Sequence, residues 1–127
     1  MSPTVHHLAL KAMDLPRMER FYRDVLGLAV VRRWPAPDGQ GDRSVWLDLG
    51  AGTFLALERA TQPRQPPGEE EPGLHMLALR IARAERVDWI RKLGEAGAPL
   101  YRHTDYTIYV KDPEGNRIGL SHWPDPV

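Results

Sequence analysis

The chain opens with a short apolar-rich run at residues 5–10, and this pattern predicts a strand. Asp14 and Pro16 then mark a helix start, Asp14 as N-cap and Pro16 in the first turn. Met18, Phe21, Tyr22, Val25 and Leu26 recur at helical spacing until Gly27, which is placed to stop the helix. Residues 28–34 read as a strand, and a Pro/Gly/Asp-rich loop covers 35–43. Residues 44–49 and 53–58 flank Gly50-Ala51-Gly52 as a hairpin.

Residues 61–73 carry four prolines and the run Glu69-Glu70-Glu71, so they read as a solvated linker. The pattern then restarts. Residues 74–81 form a strand, and Val87, Ile90, Arg91 and Leu93 fall on a helix that Gly94 and Gly97 are expected to end. Three strands follow at 100–102, 106–111 and 117–121, with Asp112-Pro113-Glu114-Gly115-Asn116 as the turn between the last two. Strand, helix and three strands occur twice. The expected organisation is one structural domain with a first βαβββ module at 1–60, the linker at 61–73 and a second module at 74–127.

The repeat fixes its own register. Leu8-Ala9-Leu10-Lys11 falls on Leu77-Ala78-Leu79-Arg80, an offset of 69 (77 minus 8). His6 then matches His75, and His7 matches Met76. Side chains alternate across a strand, so His7 and Met76 are expected at equivalent places on one face, with His6 and His75 on the other.

Composition narrows the chemistry. Seventeen basic and seventeen acidic residues give a formal net charge of zero, which offers no footprint for nucleic acid or an anionic membrane. Arg32 and Arg33 make only a small basic spot, read as a solvated strand end. With no cysteine, disulfides, thiolate zinc sites and cysteine nucleophiles are excluded. This agrees with an expected cytoplasmic location. No apolar run approaches the roughly 20 residues of a membrane span. Phosphate-binding glycine loops and a nucleophile elbow are absent as well.

The layout resembles the vicinal oxygen chelate superfamily, which includes glyoxalases, ring-cleaving dioxygenases and resistance proteins for fosfomycin and bleomycin. The matching stretches are His7-Leu8-Ala9-Leu10, Asp14-Leu15 and Phe21-Tyr22-Arg23-Asp24-Val25-Leu26-Gly27-Leu28. In the second half they are residues 77–81 and the Asp112–Ile118 turn into the last strand. The resemblance implies an α+β fold in which two βαβββ modules form a curled, barrel-like mixed sheet with an enclosed cavity. It also implies a homodimer.

Metal-dependent members place histidine and carboxylate ligands on inward-facing strand positions. Such donors hold a divalent Lewis acid while leaving coordination sites for two substrate oxygens. Carried over residue by residue, the first position is His7. The fourth-strand glutamate falls on Ala56, the histidine opening the second module on Met76, and the last-strand glutamate on Gly119. Alanine and glycine have no donor, and methionine is a soft ligand poorly suited to manganese, nickel, zinc or iron. No cofactor is therefore expected. The alternative is a displaced divalent-metal site (Mn, Ni, Zn or Fe) built from His7, Glu58 and His75, which would need a β-bulge to re-aim His75.

Ala56, Met76 and Gly119 instead add apolar or open surface, beside aromatic residues that suit a small organic ligand. The expected ligand-binding set is His7, Trp46, Ala56, Met76, Tyr101, His103, Tyr109 and Gly119, and no catalytic residue is assigned. Trp89 is expected in helix–sheet packing. The first reading is thus a binder of a small organic molecule, comparable to drug-sequestering resistance proteins. The second is a metal-dependent lyase, isomerase, transferase or dioxygenase with a displaced site. A regulatory module keeping the fold without ligand chemistry is the third.

Overall fold

The computed structural model describes all 127 residues. The chain forms two compact units, Met1–Arg64 and Gln65–Val127, each with a four-stranded mixed sheet and helical segments. The fold is α+β, as the repeat implies. Neither sheet closes on itself. Each keeps two edge strands, so the expected barrel-like curl is only loosely met.

The first unit runs β1 (His7–Ala12), α1 (Leu15–Arg20), β2 (Val30–Pro35), β3 (Asp42–Gly50) and β4 (Thr53–Arg59), with strand order β1-β4-β3-β2. Asp14 caps α1 by accepting the Arg17 N–H at 3.1 Å. The helix then widens into a π turn over Phe21–Val25, where Leu26 N–H reaches the Phe21 carbonyl at 3.1 Å. The sequence pattern shows no sign of this widening. It accompanies two consecutive aromatics, Phe21 and Tyr22, that are both buried and meet edge to face at 5.2 Å. Gly27, at φ +79°, supplies the left-handed stop.

Helix α1 packs on β3 and β4. Leu15, Met18 and Tyr22 are buried with Val45, Leu47, Leu55 and Leu57, the residues of β3 and β4 that alternate onto the helix side. Each of these large side chains contributes about 1.5–3 kcal/mol when fully buried.

The second unit runs β5 (Leu77–Arg80), α2 (Arg86–Glu95), β6 (Arg102–His103), β7 (Thr107–Lys111) and β8 (Arg117–Ser121), in the order β5-β8-β7-β6. β5 and β6 are shorter than their apolar runs suggest. Gly94 lies inside α2 and does not end it; Gly97, at φ +80°, does. The helix contacts β7, and Leu93 is buried with Ile108, Val110, Ile118 and Leu120.

Residues 61–73 contain no helix or strand, as expected, but part of the segment is tied to β8. Buried Arg117 donates to the Pro67 carbonyl at 2.7 Å and to the Glu69 carboxylate at 3.0 Å. Its guanidinium holds the Glu69 carboxyl below the usual range.

One ion-pair network joins α1 to β2. Glu19 is buried on α1 and accepts two bonds from Arg33 of β2, both at 2.7 Å, and also pairs with Arg23. Arg33 reaches Asp42 at 3.0 Å as well. Hydrogen bonding to Arg33 is the main cause that lowers the Glu19 pKa below 4.5. A carboxyl depressed on folding adds stability above its unfolded pKa and loses it as pH falls through the folded value. Replacing Glu19 by Gln should cost about 1–3 kcal/mol at pH 7. That difference should shrink below pH 4.5, as measured by urea denaturation of both proteins across the acid range. A gap independent of pH would mean that the charge is not the source.

Candidate functional site

Strand alternation and register together define the face of the first sheet opposite α1. β1 pairs in parallel with β4 (His7 with Phe54, Ala9 with Ala56, Lys11 with Glu58), while β3 pairs antiparallel with β4, Trp46 opposite Ala56. Arg32 of β2 lies opposite Trp46, and Trp34 opposite Ser44.

A row of rings crosses this face. His7 stacks on Phe54 at 4.8 Å between centroids and 3° between planes, and Phe54 stacks on Trp46 at 4.2 Å and 20°. Trp46 meets Trp34 edge-on at 5.7 Å, and the Arg32 guanidinium lies 3.9 Å above the Trp34 ring. Such ring contacts add about 0.5–1.5 kcal/mol each beyond area burial. Ser44 is buried on the Trp34 rung, and its hydroxyl has no hydrogen-bond partner.

His6 is exposed. It precedes β1, its Nδ1 lies 2.9 Å from His7 Nδ1, and its ring meets Phe54 edge-on. One imidazole of that pair donates and the other accepts.

The second sheet repeats the pattern with different chemistry. Ala78 pairs with Gly119, and Gly119 with Tyr109. A Cβ added at Gly119 would lie 3.2 Å from Met76 Sδ and 3.3 Å from Thr107 Cγ2, so Met76 leans over the glycine. Lys111 Nζ stands 5.0 Å over the Tyr101 ring, and burial raises the Tyr101 pKa. Arg102 lies opposite Tyr109, with its guanidinium 5.9 Å from that ring.

The structure thus groups His7, Trp46 and Ala56 on one sheet face, and Met76, Tyr109 and Gly119 on the corresponding face of the other sheet. His103 does not join the latter group, because it pairs with Ile108 and shares its side of the sheet. Phe54, Trp34 and Arg32 were missed. The signal was available: Phe54 sits two residues before Ala56, and Arg32 and Trp34 alternate on β2.

The residues present do not fit a divalent metal. The four positions where the resemblance expects ligands offer one imidazole, a thioether, a methyl group and a hydrogen, and that imidazole is stacked on Phe54. Register also separates His7 from Glu58 by four residues, about 13 Å along the strand. Glu58 lies 3.8 Å from Lys11. His75 is exposed ahead of β5, and no three histidine, aspartate or glutamate side chains gather into a metal-binding group.

His122 is also engaged elsewhere. Its Nε2 is 3.0 Å from Arg86 Nη1, which can only donate, so the ring proton sits on Nδ1 and points to the Asp125 carbonyl. Trp89 is half-buried and lines a surface groove of about 290 Å³ along α2, with Lys92 Nζ 5.0 Å over its ring. It therefore presents part of its ring at the surface as well as bracing the helix.

These sheets, their duplicated register and the motifs that carry them define a known class. The chain belongs to the Glyoxalase/Bleomycin resistance protein/Dioxygenase superfamily, whose profile matches residues 4–120. It is 29% identical over 131 residues to the uncharacterized protein PA2024 of Pseudomonas aeruginosa, an alignment covering 96% of this chain and 90% of that one. A glyoxalase family protein from Enterococcus faecalis superposes with a TM-score of 0.72 at 29% identity, covering 94% and 97% of the two chains. A glyoxalase/dioxygenase from Nostoc punctiforme does so with 0.77 at 24% identity, covering 98% and 92%. No helix is long and apolar enough to cross a membrane.

The Met76–Gly119 contact yields a stability prediction. Replacing a strand glycine by alanine gains about 0.5–1 kcal/mol in backbone entropy. Crowding a packed site costs about 1–3 kcal/mol. Thr107 is stiff at χ1, and its Oγ1 is tied to Ser121 Oγ at 2.9 Å, so crowding should win. Gly119→Ala should therefore lower stability, and adding Thr107→Ser should recover part of the loss. Chemical denaturation of the single and double variants checks this; a stabilised Gly119→Ala would contradict the packing.

Proposed function

We propose that the protein binds a small organic molecule bearing a flat ring on the aromatic face of its first sheet, without a divalent metal. The row His7–Phe54–Trp46–Trp34 carries this reading. It is a run of ring edges and faces, partly open to solvent, with few polar anchors, and such surfaces bind planar organic groups. Ala9 is exposed on the same rung as Trp46, while Ala56 between them is buried. Met76, Gly119 and Tyr109 lie on the equivalent face of the second sheet, within their own unit. The metal-dependent alternative has no donor set in its support.

The module boundaries at 1–60 and 74–127, which rest on the repeat, the homodimer, which rests on the resemblance, and the cytoplasmic setting, which rests on the lack of cysteine, belong to the same proposal. A panel of small aromatic compounds screened by thermal shift, followed by calorimetry on the hits, tests the binding claim. Trp46→Ala should weaken a genuine hit roughly tenfold, equivalent to about 1.4 kcal/mol. Val87→Ala, at an exposed position on α2 of the second unit, should leave affinity unchanged. Hits that ignore Trp46→Ala, or a panel with no hits, would contradict the proposal.

A further inference from the structure

The register exposes a rung that both modules share. In the first sheet it reads Ala9–Ala56–Trp46–Arg32, and in the second Ala78–Gly119–Tyr109–Arg102. Two small residues, an aromatic and an arginine thus follow one another across each sheet. Ala56 and Gly119 are the places where the resemblance expects carboxylates. Each rung thus carries no acidic side chain and one guanidinium, on its edge strand.

In the first sheet that guanidinium has no acidic partner. Arg32 is exposed, rests on Trp34 and pairs with no carboxylate, whereas its neighbour Arg33 turns to the other side and is consumed by Glu19 and Asp42. Two acids share this face without pairing with Arg32: Asp48 accepts the Gly50 N–H at 2.9 Å, and Glu58 lies 3.8 Å from Lys11. The indole N–H groups of Trp34 and Trp46 are neither hydrogen-bonded within the protein nor buried. The face therefore offers unpaired donors beside stacked rings. Ring edges carry partial positive charge, which adds to the same preference.

We infer that the ligand of this face is a flat aromatic anion, its ring against the part-exposed Trp46 and its anionic group bound by Arg32. A planar guanidinium matches a carboxylate in bidentate geometry, and resting on Trp34 pre-orders it for that contact. The inference rests on the aromatic-face reading above and adds the sign of the ligand's charge and the residue that selects it.

A matched pair of probes tests it: 2-naphthoate and the neutral 2-naphthylmethanol, titrated into the full chain. The readouts are calorimetry and the indole ¹⁵N–H resonances. Naphthoate should bind at least tenfold more tightly than the alcohol and shift the Trp34 and Trp46 signals, leaving those of Trp89 and Trp123 in place. Arg32→Gln, at an exposed position that should fold normally, should bring the acid down to the affinity of the alcohol while the alcohol changes less than twofold. Equal binding of acid and alcohol at Trp46 would overturn the charge assignment and leave the aromatic-face reading standing. A preference for acid that survives Arg32→Gln would overturn the role of Arg32. If neither probe moves Trp34 or Trp46, both readings fall together.

Discussion

The parallel pairing of β1 with β4, repeated by β5 with β8, decides which side chains can act together. A strand sends alternate residues to opposite faces, so one register assigns every residue of a sheet to the helix side or the open side. His7 opposite Phe54 and Ala9 opposite Ala56 fix the open face of the first unit; Ala78 opposite Gly119 fixes that of the second. A slip of one residue would bury Lys11 against α1 and turn Leu8 and Leu10 outward. The buried leucines of β3 and β4 make that slip costly, and their packing therefore holds the ring row in place.

Charge is sorted by the same alternation. Arg33 and Glu19 lie on the helix side, where two short hydrogen bonds lock α1 to β2. Arg32, one residue earlier, faces the other way and meets only an aromatic ring. Adjacent exposed arginines thus differ in their partners, one pairing with carboxylates and one resting on an aromatic ring. In the second unit Arg117 is spent on the segment before β5, while Arg102 keeps only a loose contact of 3.9 Å with Glu69.

Much of this was legible in the sequence because it depends on period and repeat. The offset that places Leu8 on Leu77 also places Ala9 on Ala78, and the observed rungs agree with it. That Ala56, Met76 and Gly119 carry no carboxylate or imidazole could be read directly once the resemblance had supplied the positions. What escaped was whatever depends on local geometry rather than pattern. The π turn at Phe21–Val25 arises from two adjacent aromatics sharing a core, and helical spacing cannot distinguish that from an α turn. Arg32 and Arg33 looked like one solvated spot because neighbouring like charges give no sign of their partners. His103 fell on the far side of its sheet because β6 is only two residues long and its register is set by β7.

The central proposal is that His7, Ala56, Met76 and Gly119, where the resemblance expects metal ligands, hold no divalent metal. Equilibrium dialysis of the untagged protein against nickel, manganese, zinc and iron(II) tests it most directly, with His7→Ala measured in parallel. The account predicts no stoichiometric binding of any of the four ions and no difference between the two proteins. One tightly held ion per chain, lost on His7→Ala, would contradict it.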